Sequence, residues 1–297
     1  MTTTPYRYQS PDEDSARWDG FPFRDGDIVI STRSKSGTTW MQMICALLIF
    51  QTPRPPSPLS RLSPWLDSLM APRDEVVAAL EAQGHRRFVK THTPLDGIPV
   101  DERATYIVVA RNPLDMAVSL YHQGNNIDRE KVRELTGAAE PAEPAKPRPP
   151  LREWLLRWID SDADPRKEMD SLPGVMWHLS DAWRRRGQSN VVLERYEDLR
   201  ADLDGRMRSL AGRLGIEIPP RWDELVEAAG FAAMKRRTAQ LIPGASGVFK
   251  DPKAFFRKGT SGGGREVLTD EEFGGYLDRA AALAPADMLA WLHRQAG

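Results

Sequence analysis

Four short apolar runs, dense in β-branched residues, are spaced along this chain between longer segments of helical pattern. Asp27-Ile28-Val29-Ile30-Ser31, Arg87-Phe88-Val89-Lys90, Tyr106-Ile107-Val108-Val109-Ala110 and Val191-Val192-Leu193-Glu194 each predict a buried strand. Trp40 to Phe50 is long and unbroken enough for a buried helix, and Arg111-Asn112-Pro113 opens another, with proline placed in a first helical turn. Near-continuous apolar strands alternating with helices predict an α/β fold, a central parallel β-sheet flanked by helices on both faces. Ligand sites in such sheets lie beyond the carboxyl ends of the strands. The polar loops after Ser31, Lys90 and Ala110 all fall on that rim.

Three stretches break the pattern. Thr52 to Pro58 carries four prolines in seven residues, and Ala139 to Pro150 carries five in twelve, which predicts an extended or mobile loop before helical pattern resumes at Leu151. Gly259 to Arg265 has four glycines in seven residues beside the basic pair Arg257-Lys258.

Composition narrows the class further. A chain of 297 residues, 40% hydrophobic and 28% charged, allows one large α/β domain or two small ones. A formal net charge of −1 argues against a general nucleic-acid binder. The single cysteine, Cys45, can form no intramolecular disulfide or cysteine-based metal site, and its apolar setting predicts a buried structural thiol. Met1 to Phe23 shows no secretory pattern, and the run Met41 to Phe50 is about half the length of a membrane span. A cytoplasmic enzyme fits these limits.

The candidate chemistry lies in the strand-end loops. Ser34-Lys35-Ser36-Gly37-Thr38-Thr39-Trp40 joins a strand to a helix, so its backbone N–H groups, hydroxyls and lysine can cradle an anion. The Walker spacing of two glycines before Lys and Ser or Thr is missing, so the loop does not read as a site for a nucleoside triphosphate with Mg²⁺. The alternative is a capped helix with a surface lysine. In Lys90-Thr91-His92 the histidine is either a general base beside a cation or a structural donor. Arg111 can fork onto a phosphate or pair with Asp115. Arg257-Lys258-Gly259 is either an anion-closing flap or a solvated basic loop.

Taken in order, the Ser34–Trp40 loop, Lys90-Thr91-His92, Arg111 with Ser119 eight residues on, and Arg257-Lys258-Gly259 resemble the cytosolic sulfotransferases that use 3′-phosphoadenosine-5′-phosphosulfate (PAPS). The wording from His85 to Gly97 and at Ser63-Pro64-Trp65-Leu66-Asp67 is similar to mycobacterial glycolipid sulfotransferases. The resemblance implies a single sulfotransferase domain over 1–297 with a P-loop-like fold. It implies PAPS as co-substrate, PAP as product, no metal, and a small-molecule or glycolipid hydroxyl as acceptor. Lys35, Ser36, Gly37, Thr38 and Thr39 would hold the 5′-phosphosulfate. Arg111, Ser119, Arg257, Lys258 and Gly259 would hold the 3′-phosphate. Trp40 and Phe231 would sandwich the adenine, with Met234 and Tyr196 close by; core packing is the plain alternative for Trp40, Phe231 and Met234. His92 would be the general base, Lys35 would stabilise the bridging oxygen, and Lys90 the sulfuryl oxygens. Ser119 would also steer Lys35.

Three departures from that family pattern stand out. Arg33-Ser34 replaces Tyr-Pro, which predicts a changed loop or an extra cation near the phosphates. Gly263-Gly264 replaces an acid and a tryptophan, which predicts a more mobile flap. No dimer motif is recognisable around Glu266 to Glu272, so the oligomeric state stays open. Two rival functions remain at this level, a small-molecule kinase using ATP and Mg²⁺ and a nucleotide-binding protein without turnover.

Overall fold

In a computed structural model, which describes residues 4–139, 147–242 and 247–295, the four predicted strands form one parallel sheet. They are β1 (Ile28–Ser31), β2 (Phe88–Thr91), β3 (Thr105–Ala110) and β4 (Val191–Arg195), in the order β2-β1-β3-β4. Ser31 pairs with Thr91 on one side and Val108 on the other, so the carboxyl ends of β1 and β2 finish level while β3 runs two residues further.

Helices cover both faces, and the strand pleat sorts the core between them. Val29, Val89, Tyr106 and Val108 pack into one apolar cluster with the helices Pro113–Asn126, Leu151–Ile159 and Leu172–Arg184. Ile28, Ile30, Phe88 and Ile107 point the other way, into a cluster with α1 (Thr38–Phe50), Leu203–Arg213 and Trp222–Ala229. This two-residue alternation is why each strand reads as an unbroken apolar run. Cys45 lies in the second cluster, fully buried, and burial pushes its thiol up to about 12, as a structural thiol requires.

The chain leaves β1 toward β2 on one side and reaches β3 and β4 on the other, so the switch point lies between β1 and β3. The loop into α1 and Arg111 both emerge there. Part of the proline-rich stretch, residues 140–146, falls outside the described residues. Among the described residues no helix is long and apolar enough to cross a membrane.

Candidate active site

The loop between β1 and α1 turns on two residues with left-handed backbone. Gly37 caps α1 at φ 109°, where an added Cβ would stand 3.0 Å from the Tyr196 ring. Lys35, at φ 66°, adopts the same region without glycine's freedom, a conformation that surrounding structure must enforce. Arg111 supplies part of that restraint, its Nη1 donating to the Lys35 carbonyl at 2.9 Å while its guanidinium lies 4.5 Å over the Tyr196 ring. Within the loop the hydroxyls of Thr32 and Thr38 are hydrogen-bonded to each other.

This loop forms one wall of a cavity of about 1840 Å³ at the switch point. Lys35, Gly37, Thr38, Thr39 and Trp40 line it, as do Lys90 and His92 from the end of β2. Arg111, Ser119, Tyr196, Phe231 and Met234 reach it from β3 and the helices, and Arg257, Lys258 and Gly259 close one side. Ser36 alone of the predicted residues is not in the lining; it is buried, with its N–H on the Arg33 carbonyl at 3.2 Å. Trp40 is fixed by its indole N–H, which donates to the Ala229 carbonyl at 2.9 Å.

The charges on this wall are mutually repulsive. The Lys35 ammonium is pushed down to about 7, first by burial and then by Arg111, Arg257 and Lys90, so every charged group acting on it is a cation. Arg257 is lowered by burial and then by Arg111. The buried Nε of Arg111 has no hydrogen-bond partner among the described residues. Such a set of crowded, under-partnered donors fits a polyanion carrying more than one phosphate-like group.

His92 faces the same space from a different environment. Its Nδ1 lies 2.6 Å from the Thr32 carbonyl, which can only accept, so the ring proton belongs on Nδ1 and Nε2 is left with a free lone pair. Burial, then Lys90 and Arg33, hold its pKa well below the ordinary histidine value. Lys90 lies 4.2 Å from the centre of the Trp65 ring and is itself lowered to about 8, mainly by burial.

Several contacts differ from the sequence expectations. Lys35 Nζ donates to Gln123 Oε1, one helical turn beyond Ser119, and lies 4.4 Å from the Phe255 ring centre. Asp115 does not pair with Arg111; its carboxylate accepts from the backbone N–H groups of Gly262 at 2.7 Å and Gly264 at 2.8 Å. The glycine-rich segment is thereby tied to the helix Pro113–Asn126, and an added Cβ on Gly264 would come within 2.5 Å of the Leu114 backbone. Of the Gly263-Gly264 pair, Gly264 is thus closely packed, whereas a Cβ added to Gly263 would meet nothing within 4 Å. Arg33 turns away from the cavity's cationic wall. It is buried, donating Nη1 to the His92 carbonyl and Nη2 to Asp170 Oδ1 at 2.7 Å, with Glu13 at 3.9 Å. Gln123 and Asp170 carry no motif signal; only a helical turn in the first case and a distant loop in the second bring them to the site.

A parallel sheet with a cationic cradle at its switch point, and a histidine with an open ring nitrogen facing the same cavity, is suited to transfer of an anionic group. Residues 25–279 match the Sulfotransferase domain family, and the chain belongs to that family. It is 40% identical over 305 residues to a glycolipid sulfotransferase of Mycobacterium tuberculosis, covering 96% of this chain and 93% of that protein. Among solved structures, retinol dehydratase in complex with androsterone and the inactive cofactor PAP matches with a TM-score of 0.69 at 20% identity, over 95% of this chain and 85% of that one. Mouse sulfotransferase SULT7A1 complexed with PAP matches with a TM-score of 0.66 at 20% identity, over 93% and 90%. These two likenesses establish the P-loop-like fold; the family match and the mycobacterial relative establish a sulfotransferase.

Proposed function

We propose that this enzyme acts as a single cytoplasmic domain, transferring a sulfuryl group from PAPS to a hydroxyl of a small-molecule or glycolipid acceptor. The observation that carries the proposal is the meeting, in one cavity, of a buried lysine, Lys35, whose charged neighbours are all cations, with His92, whose Nδ1 is bonded and whose Nε2 is left open. The relatives' glycolipid acceptors and the PAP bound in related folds support the choice of acceptor and donor.

PAPS supplies the sulfuryl group, joined through a bridging oxygen to its 5′-phosphate. The acceptor oxygen bonds to sulfur as the sulfur–bridging oxygen bond breaks, and PAP leaves. His92 Nε2 takes the acceptor's proton during that step. The Lys35–Thr39 loop, running into the start of α1, holds the 5′-phosphosulfate, with Lys35 moving from Gln123 to the bridging oxygen where charge grows. Lys90 neutralises the sulfuryl oxygens. Arg111, Ser119 and Arg257-Lys258-Gly259 hold the 3′-phosphate, while Trp40, Tyr196, Phe231 and Met234 form the adenine side. Positioning and electrostatics supply most of the acceleration, and the proposed route uses no metal.

Calorimetric titration with PAP, with ATP–Mg²⁺ as control, tests the donor. Binding of PAP at least tenfold tighter than ATP is expected; preference for ATP–Mg²⁺ would overturn the assignment.

A further inference from the structure

Asp170, in the lining of the cavity, is held in an unusual way. Its Oδ1 accepts from Arg33 at 2.7 Å, and its backbone carbonyl accepts from the Trp158 indole N–H at 2.8 Å. Arg33 itself is sealed off, with 4% of its side chain exposed, whereas Asp170 keeps 36% and lines the cavity. Among the described residues its Oδ2 accepts no hydrogen bond. The same guanidinium that grips Asp170 also donates to the carbonyl of His92. One buried guanidinium thus links the Asp170 carboxylate to the backbone of His92.

Resting on the sulfotransferase reading above, we propose that Asp170 is a specificity-determining residue that reads a second hydroxyl of a polyhydroxylated acceptor, such as a sugar head group. The hydroxyl to be sulfated faces His92 while a neighbouring one donates to Asp170 Oδ2. A carboxylate fixed at one oxygen and open at the other is a directional acceptor suited to hydroxyls. A cationic acceptor is disfavoured, because the charge of Asp170 is already balanced by Arg33 and because Lys90 lines the same cavity. Asp12 lines the cavity as well, and Asp170 acts on its carboxyl, after burial and Arg129, so the two acids face common space. A bound acceptor that lacks the second hydroxyl would screen the Asp170 carboxylate from water without pairing it, which is the costly kind of mismatch.

The test compares octyl glucoside with 1-octanol as acceptors, in the wild type and in Asp170→Asn and Asp170→Glu, with PAP affinity measured in parallel. The wild type is expected to favour the glucoside by about tenfold or more in kcat/KM, the size set by one hydrogen bond to a charged group. Asp170→Asn should reduce that preference several-fold, read as the ratio of the two acceptors' kcat/KM within the same variant, with PAP affinity retained; Asp170→Glu should retain part of it. An equal preference in wild type and Asp170→Asn would overturn the assignment, as would a wild type indifferent to the two acceptors, even if the variant failed to fold. Turnover with unaltered selectivity counts against Asp170 alone. Turnover on neither acceptor would overturn this assignment, and failure of the wild type to bind PAP would overturn the donor reading as well.

Discussion

Arg33 and Lys35 sit two residues apart in one loop, yet the fold treats their charges in opposite ways. Burial opposes the charge of Arg33, but Asp170 and Glu13 more than offset it and hold its pKa above the ordinary arginine value. Burial also opposes the charge of Lys35, and there the neighbours are cations that deepen the penalty. A buried cation with carboxylates around it is a structural strut; one surrounded by cations is destabilised until an anion arrives. The loop therefore faces two ways, with its first cation bonded to the His92 carbonyl and its second left without a counter-charge, open to the donor on the proposed reading.

The same substitution at both positions should separate the two roles most sharply. Lys35→Met is expected to cost about 10²–10³ in kcat, the scale of losing one transition-state electrostatic contact, without lowering Tm at pH 7. Arg33→Met should instead destabilise the fold by about 3–5 kcal/mol, because Asp170 and Glu13 lose a buried partner. Equal Tm losses in the two variants would dissolve the distinction; thermal melting and steady-state kinetics decide it.

His92→Ala should lower kcat about 10²-fold or more while PAP still binds. Because the His92 pKa is held below its ordinary value, the acid limb of the wild-type pH–rate profile should fall below the usual histidine range, and near-normal turnover of the variant would remove His92 from the mechanism. Arg111→Ala should raise the KM for PAPS about tenfold with a smaller change in kcat, the scale of one charge-assisted phosphate contact. An unchanged KM would place recognition of the 3′-phosphate elsewhere.

The smallest effect is a proton count. With the free Lys35 titrating at about 7, binding of PAP above that pH must draw a proton onto the lysine, since a bound anion raises its pKa. Titration at pH 8 in buffers of differing ionisation enthalpy should register an uptake of up to about one proton, absent in Lys35→Met. No difference between the two proteins would mean that Lys35 keeps its proton throughout.

The frame of this enzyme is legible in its sequence because each strand is a β-branched run buried on both faces, and each site loop follows such a run directly. Lys35, Lys90, His92 and Arg111 inherit their positions from those strand ends. What escapes a linear reading is the partner chosen by a side chain long enough to reach several. Arg33, which the sequence offers either as a change in the loop backbone or as an extra cation near the phosphates, finds Asp170, 137 residues away. Ser119 was expected to steer Lys35, and Gln123 engages it from the next turn of the same helix. Asp115 was one possible partner for Arg111 and instead binds two backbone amides of the flap. Periodicity places these residues on an element, but the choice among acceptors is settled by packing between elements far apart in the chain.

The clasp between Asp115 and the glycine-rich flap also bears on time. In the proposed cycle a nucleotide held beneath Arg257-Lys258-Gly259 would leave by lifting this segment, which would strain two hydrogen bonds to a charged acceptor. On that reading Asp115 would act as the escapement of the catalytic cycle. We expect Asp115→Ala to shorten the residence time of PAP by about tenfold, and stopped-flow displacement yielding an unaltered off-rate would assign the pace of the cycle to another step.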